Sequence, residues 1–178
     1  MMANRIRSLG PADIDLYRAL RLRALREEPT AFASSPEDER QLSIEAVESR
    51  LLETASQVML GAFDGEMLVG MSGLLRERRT KMAHKAWIVS FYVAPEARRR
   101  GLGRLLLEHA LARARTMPGL RQVNLGVNAG NVAARRLYES MGFVVFGLER
   151  GFMLVDGMLH DELSMVRVLS DGEAGTTG

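Results

Sequence analysis

An arginine run punctuated by glycine, Arg98-Arg99-Arg100-Gly101-Leu102-Gly103-Arg104, offers the clearest chemistry in this 178-residue chain. A β-type run, Trp87–Val93, leads into it through Ala94-Pro95-Glu96, and an amphipathic helix follows at once. A glycine turn between a strand and a helix N-terminus suits a pyrophosphate. First-turn N–H groups have no intrahelical acceptor, the dipole end is positive, and glycine has no Cβ to hold a phosphate away. Arginine side chains add charge-assisted donors. Two other phosphate motifs do not fit. Gly103 is followed by Arg104-Leu105, not by the Lys and Ser/Thr of a Walker A loop. The third glycine and ribose-gripping acid of a dinucleotide site are not evident either. A second group is Asn128-Ala129-Gly130-Asn131, a turn into a helix with Ala134, Leu137, Tyr138 and Met141 on one face. Asn131 suits the cap of that helix, and Tyr138, read from spacing alone, is a core tyrosine.

These residues need a frame. Arg5–Leu9 reads as a first strand, and Gly10-Pro11-Ala12-Asp13 starts a helix that runs to about Glu28 and stops before Pro29. Thr30–Arg40 reads as a polar, acidic, solvated loop, after which Ser43 caps a second helix to about Glu53. Gln57–Phe63 and Glu66–Leu75 form a hairpin around Asp64-Gly65, and Arg76–Lys85 is a charged loop. After the glycine turn, Gly103, Leu106, Leu107, Ala110, Leu111 and Ala114 make one apolar helix face. Arg121–Val127 is the next strand, Gly142 a left-handed cap, and Phe143–Leu148 and Met158–Leu169 are closing strands. Strand, helix and strand between 87 and 127 imply a parallel crossover beside an antiparallel hairpin. The sheet is therefore mixed, with helices on it. Residues 1–169 read as one domain and 170–178 as a disordered tail.

Composition narrows the field. Apolar residues at 47% and charged residues at 26% are those of a soluble globule. No apolar run approaches the ~20 residues that cross a bilayer, and the N-terminus has no signal-peptide core, so a cytoplasmic protein without membrane contact is expected. With no cysteine there is no disulfide, thiolate nucleophile or cysteine metal site. His84, His109 and His160 are scattered, so no metal is expected. A formal charge of +2 without aromatics beside basic clusters argues against a nucleic-acid partner.

Arg98-x-x-Gly101-x-Gly103, after the strand end Tyr92-Val93-Ala94-Pro95-Glu96, resembles the acyl-CoA-binding motif of the GNAT family of N-acetyltransferases. Asn128-x-x-Asn131-x-x-Ala134-x-x-Leu137-Tyr138-Glu139-x-x-Gly142-Phe143 is similar to that family's second cofactor segment. The two occur in the family's order and separation, and the resemblance covers about residues 86–148. It implies a mixed α/β (α+β) fold: about seven strands, mostly antiparallel, with one splayed parallel pair and helices on both faces. It implies acetyl-CoA as co-substrate, with backbone groups of Arg99, Arg100, Gly101, Leu102, Gly103 and Arg104 on the pyrophosphate and Arg98 among the phosphate-binding arginines. It also implies that Phe91, Tyr92 and Val93 pair with the amide-rich arm, and that Asn131 and Ala134 lie against the same arm. Tyr138 becomes the general acid to the departing thiolate, a role a phenol of pKa ~10 suits.

The implied activity is direct transfer of acetyl to a primary amine of a small molecule or peptide, since covalent transfer through the enzyme is unfavoured without cysteine. The base is open. Some relatives place a glutamate on the strand before the glycine turn, but residues 86–93 hold no carboxylate. His84, Glu39, Tyr92 and a water relayed to a backbone carbonyl are the alternatives. The family's acceptor region corresponds to about Tyr17–Arg50. A non-catalytic acyl-CoA-binding regulatory module is the rival reading, and a homodimer through the last strands is compatible with the sequence.

Overall fold

The computed structural model describes residues 4–169; the tail expected at 170–178 lies outside them. Seven strands form one sheet: Asn4–Ser8 (β1), Gln57–Asp64 (β2), Met67–Arg76 (β3), Lys85–Val93 (β4), Gln122–Asn128 (β5), Val144–Val155 (β6) and Met158–Val168 (β7). Their order is β1-β2-β3-β4-β5-β7-β6. Only β4 and β5 run parallel; every other neighbouring pair is antiparallel. β2 and β3 are buried along nearly their whole length, so their sequences read as continuous apolar runs rather than alternations.

Among the described residues five α-helices accompany the sheet: Ile14–Glu27 (α1), Pro36–Arg40 (α2), Ile44–Leu51 (α3), Leu102–Arg115 (α4) and Val132–Ser140 (α5). α1 is entered through a 3-10 turn, Pro11–Asp13, where the Asp13 carboxylate accepts from Gly10 N–H (3.0 Å) and from both Arg7 terminal nitrogens (2.7 Å each). Ser43 caps α3 by accepting from Ala46 N–H at 3.2 Å. The apolar stripe of α4 is sealed, with Leu106 and Leu107 at 0% exposure. Each such leucine contributes about 1.5–3 kcal/mol relative to an exposed one.

The two faces of the sheet can be assigned from contacts. A Cβ at Gly70, whose strand partner is Val93, would meet Leu106 of α4, while Phe91 touches Tyr138 of α5. Phe91 and Val93 therefore lie on the α4–α5 face. Tyr92 points the other way, its hydroxyl donating to Glu27 of α1. Val89 shares the Tyr92 face through the pairs Gly73↔Val89 and Met71↔Tyr92, and Trp87 shares it through Leu75. Through Trp87↔Asn124, the side chains of Asn124, Gly126 and Asn128 belong to the α1 face as well.

Two expectations need correction. Thr30–Arg40 is not a solvated loop throughout. Ser35 accepts from Asp38 N–H (3.1 Å) while Asp38 accepts from Ser35 N–H (2.8 Å), a reciprocal cap that starts α2 with Pro36 at its first position. β6 does not end at Leu148. It passes a register shift between Glu149 and Met153, with Gly151 at φ 62°, and pairs with β7 up to Val155↔Met158. The two-residue turn Asp156-Gly157, with φ 49° and 76°, closes that hairpin. Among the described residues no helix is long and apolar enough to cross a membrane.

Candidate active site

β4 is paired to β3 up to Val93 but to β5 only over Lys85–Trp87 with Gln122–Asn124. From Ile88 onward the two parallel strands part, and the β4 edge facing β5 has no ladder partner. A bulge accompanies the parting. Val89 faces Gly73 and Tyr92 faces Met71, so Ser90 and Phe91 together oppose Ser72, with Ser90 at φ 54°. Such a left-handed non-glycine residue costs on the order of 1–3 kcal/mol and is held by its surroundings. The bulge re-aims the end of β4 and leaves backbone donors and acceptors bare, as the addition of an extended ligand requires.

The glycine turn closes one end of this gap. Arg99 (φ 61°) and Gly101 (φ 77°) both take left-handed backbone, and Gly101 is the N-cap of α4. It offers no side-chain acceptor, so the first-turn N–H groups of Leu102, Gly103 and Arg104 are aimed outward with the positive end of the helix. Gly103 serves packing: a Cβ there would stand 3.2 Å from Leu137 Cδ2 and 3.4 Å from Phe91 Cζ. Gly101 would meet nothing within 4 Å; its backbone conformation is what requires glycine.

The arginines divide. Arg98 donates to Val93 O (2.9 Å) and Glu28 (2.8 Å), Arg100 to Asp64 (2.7 Å) and Arg104 to Glu108 (3.0 Å). Arg99, exposed, has no side-chain partner among the described residues. Arg23 joins Glu96 by two bonds, 2.6 and 2.7 Å, and Tyr92 donates to Glu27. These contacts fasten the strand end and the root of the turn to the last turns of α1. Tyr92 and Arg23 hold the Glu27 carboxyl below its ordinary range.

α5 lines the gap on the α4–α5 face. Asn131 caps it, accepting from Ala134 N–H at 3.1 Å. Tyr138 is 5% exposed, its ring edge-on to Phe91 (5.6 Å) and Phe143 (6.1 Å). Its hydroxyl is not among the sealed polar atoms and has no partner among the described residues. Burial alone pushes this phenol well above its ordinary value, so it stays protonated across the neutral range. Phe91 of β4, Gly103 of the glycine turn and Leu137 and Tyr138 of α5 are thus brought together at one gap, and Asn131 and Ala134 lie at the start of that same helix.

The three side-chain alternatives for the base are not aimed there. His84 lines a shallow recess with Arg76, Thr80 and Arg121 at the opposite end of β4, ~20 Å from Ser90 at about 3.3 Å per residue. Glu39 is 3% exposed and paired to Arg50 (2.8 Å) and Arg21 (3.4 Å), an ion cluster that ties α1, α2 and α3 together. Tyr92 is 3% exposed and donates to Glu27, and burial raises its phenol, which removes it as a base near neutrality.

One carboxylate escaped the reading of the sequence. Glu162 of β7 lies over Gly126 of β5 on the α1 face, so closely that a Cβ at position 126 would stand 2.6 Å from its Cδ. It has no hydrogen-bond or ion-pair partner among the described residues. Burial first, then the neighbouring Glu149, raises its pKa. The available signal was Gly126, a glycine inside a strand, which marks close approach of another group.

The acetyltransferase (GNAT) family model matches residues 19–143, most of the sheet and all of the gap. Over 68 residues the chain is 41% identical to the ribosomal protein bS18-alanine N-acetyltransferase of Salmonella typhimurium; this is 38% of the chain and 45% of that enzyme, less than half its length. Over 169 residues it is 25% identical to the phosphinothricin N-acetyltransferase of Alcaligenes faecalis, covering 94% of the chain and 84% of that enzyme. In fold it is similar to a putative acetyltransferase from Salmonella typhimurium solved with its cofactor acetyl-CoA, at a TM-score of 0.80, 22% identity and 95% coverage of each chain. The chain belongs to the GNAT acetyltransferase family.

Proposed function

We propose that the protein transfers the acetyl group of acetyl-CoA directly to a primary amine of a small molecule or peptide, with residues 1–169 acting as one domain. The observation that carries this reading is the gap. An unpaired strand edge from Ile88 to Val93 meets a glycine-capped helix N-terminus at one end, with an unpartnered tyrosine hydroxyl on its wall. The residues fit the co-substrate. Apart from Val93 O, which accepts from Arg98, the β4 edge has no ladder partner and matches the amides of the pantetheine arm, and the N–H groups of Gly101–Arg104 with the arginine turn match the pyrophosphate. Acetyl-CoA supplies an activated acyl carbon whose leaving group is a thiolate.

The roles of the chain's own residues follow. Backbone N–H groups at the Ser90–Phe91 bulge donate to the thioester oxygen as negative charge grows on it. Asn131 and Ala134, at the start of α5, border the arm, and Tyr138 gives its phenolic proton to the departing sulfur. Of the turn arginines, Arg99 is the one whose side chain is not already engaged, so it is the readiest phosphate donor; Arg98 and Arg100 hold the turn in shape. The last two strands leave Phe146, Leu148, Leu154 and Leu159 exposed, which supports a homodimer across them, testable by sedimentation velocity. A cytoplasmic location goes with this reading.

Calorimetric titration with acetyl-CoA, with desulfo-CoA and ATP as controls, tests the cofactor site. Phosphinothricin and a peptide beginning with alanine are then the first acceptors to assay for released CoA. The protein's lack of cysteine makes thiol-reactive detection free of background. Micromolar binding followed by CoA release on one amine is the expected result. Binding without transfer to any amine would favour the non-catalytic acyl-CoA-binding module instead.

A further inference from the structure

Acetyl transfer to an amine needs an acceptor that has lost a proton, and none of the three side chains named from the sequence as its base, His84, Glu39 and Tyr92, is aimed at the gap. Resting on the acetyltransferase reading, we propose that Glu162 is the general base and that the acceptor amine enters from the α1 face, opposite Tyr138. The geometry starts at Gly126. Asn124 is the last β5 residue paired to β4, so Gly126 lies two residues into the parted stretch, where continued register would have set it against Val89. Its missing side chain leaves a place on the α1 face, and the Glu162 carboxylate fills it from β7. Tyr138 stands on the other face, against Phe91. A reacting group held along the β4 edge would thus have a proton donor on one side and a proton acceptor on the other.

The surroundings suit a base. Among the described residues the carboxylate has no hydrogen-bond or ion-pair partner to hold its charge, in contrast to Asp13, Glu27, Glu39 and Glu96, each tied to an arginine. Glu149, its register partner on β6, is the charged group facing it; Asn124, Gly126 and Asn128 of β5 do not titrate. The 3-10 turn Pro29–Ala31, packed against β5 and β6, brings no charge of its own. In the step, the Glu162 carboxylate takes one proton from the acceptor ammonium. The freed amine forms the new C–N bond as the C–S bond breaks, and Tyr138 protonates the departing sulfur. The surplus proton on the nitrogen passes to water as the neutral amide forms, the Tyr138 phenolate takes a proton back from water, and Glu162 releases its own to water.

The test uses the full chain and its Glu162→Gln and Gly126→Ala variants. Phosphinothricin and the alanine-initiated peptide are the acceptors, and acetyl-CoA affinity is measured alongside. Glu162→Gln should lower kcat at pH 7 by about 100-fold or more, the low end of general-base effects. Acetyl-CoA affinity should be unchanged, and the deficit should shrink as pH rises and the acceptor deprotonates unaided. Gly126→Ala keeps the carboxylate but pushes it out of its place, and should lower kcat by at least tenfold. Turnover within threefold of the parent in Glu162→Gln, in a chain that binds acetyl-CoA and whose parent is active, would overturn the base role alone. A parent that binds no acetyl-CoA, or binds it and releases CoA with no amine of a panel that includes these two, would overturn the acetyltransferase reading and the base with it.

Discussion

On the α4–α5 side of the gap, the groups that face it are backbone N–H and C=O or side chains a few positions from a turn. They are the edge of Ile88–Val93, the cap at Gly101, the cap at Asn131 and Tyr138 two helical turns beyond it. On the α1 side the groups are side chains brought in from distant segments, Glu162 over Gly126 with Glu149 beside it, while away from the gap the buried Arg21–Glu39–Arg50 cluster ties the helices together. A ligand common to a family can be held by backbone shape, which many sequences share. An acceptor particular to one protein has to be met by side chains, and these can be exchanged without altering the fold.

The largest test of this contrast lies in the ion cluster. Glu39→Gln keeps the volume but leaves the guanidinium of Arg21, 7% exposed, without its partner charge. Breaking a buried pair from one side costs about 3–5 kcal/mol. At about 2–4 °C per kcal/mol for a chain of this size, Tm should fall by roughly 10 °C in a thermal melt. Below that temperature acetyl-CoA binding should persist, because none of its groups belongs to the cluster. Loss of binding in the folded variant would show that the two sides are not separable.

Tyr138→Phe comes next. The hydroxyl has no partner among the described residues, so its removal should leave Tm and acetyl-CoA affinity close to the parent's while kcat falls by about 100-fold. An equal loss in affinity would make Tyr138 a packing residue. Smaller again is Gly101→Val, which puts a β-branched side chain at φ 77°. Left-handed backbone costs such a residue at least about 1–2 kcal/mol. Acetyl-CoA should bind about tenfold more weakly by calorimetry, with kcat at saturation nearly unchanged.

The same division explains what could be read in advance. The turn at 98–104 and the segment at 128–143 are local, and strand, turn and helix signals agree there, so their place in the fold and at the gap was legible. Ser35-Pro36-Glu37-Asp38 was also local, and its reciprocal cap was readable, but the acidic run masked it. The continuation of β6 past Glu149 was hidden by a register shift and Gly151, although Asp156-Gly157 carries the same kind of hairpin signal as Asp64-Gly65. Glu162 was out of reach. Its meaning depends on Gly126, 36 positions earlier on the adjacent strand, a separation that no local pattern encodes. The burial of Glu39 likewise comes from α1 and α3 closing over α2, not from its own neighbours in sequence.

Replacing Glu162 should act with opposite sign on stability and on catalysis. The Glu162 carboxyl is raised above its ordinary value of 4.5 by burial and by Glu149. A raised acid binds more protons in the folded state than in the unfolded one, so stability falls as pH climbs from 4.5 through the folded value, and the cost is fully present above it. Glu162→Gln removes that cost. The variant should melt slightly higher than the parent at pH 7, and the difference should vanish below about pH 4, where the unfolded carboxyl is also protonated. A side chain kept for packing would show the reverse, a lower Tm on replacement at every pH. A variant that is more stable and less active would mark Glu162 as a charge held at the gap against the preference of the fold.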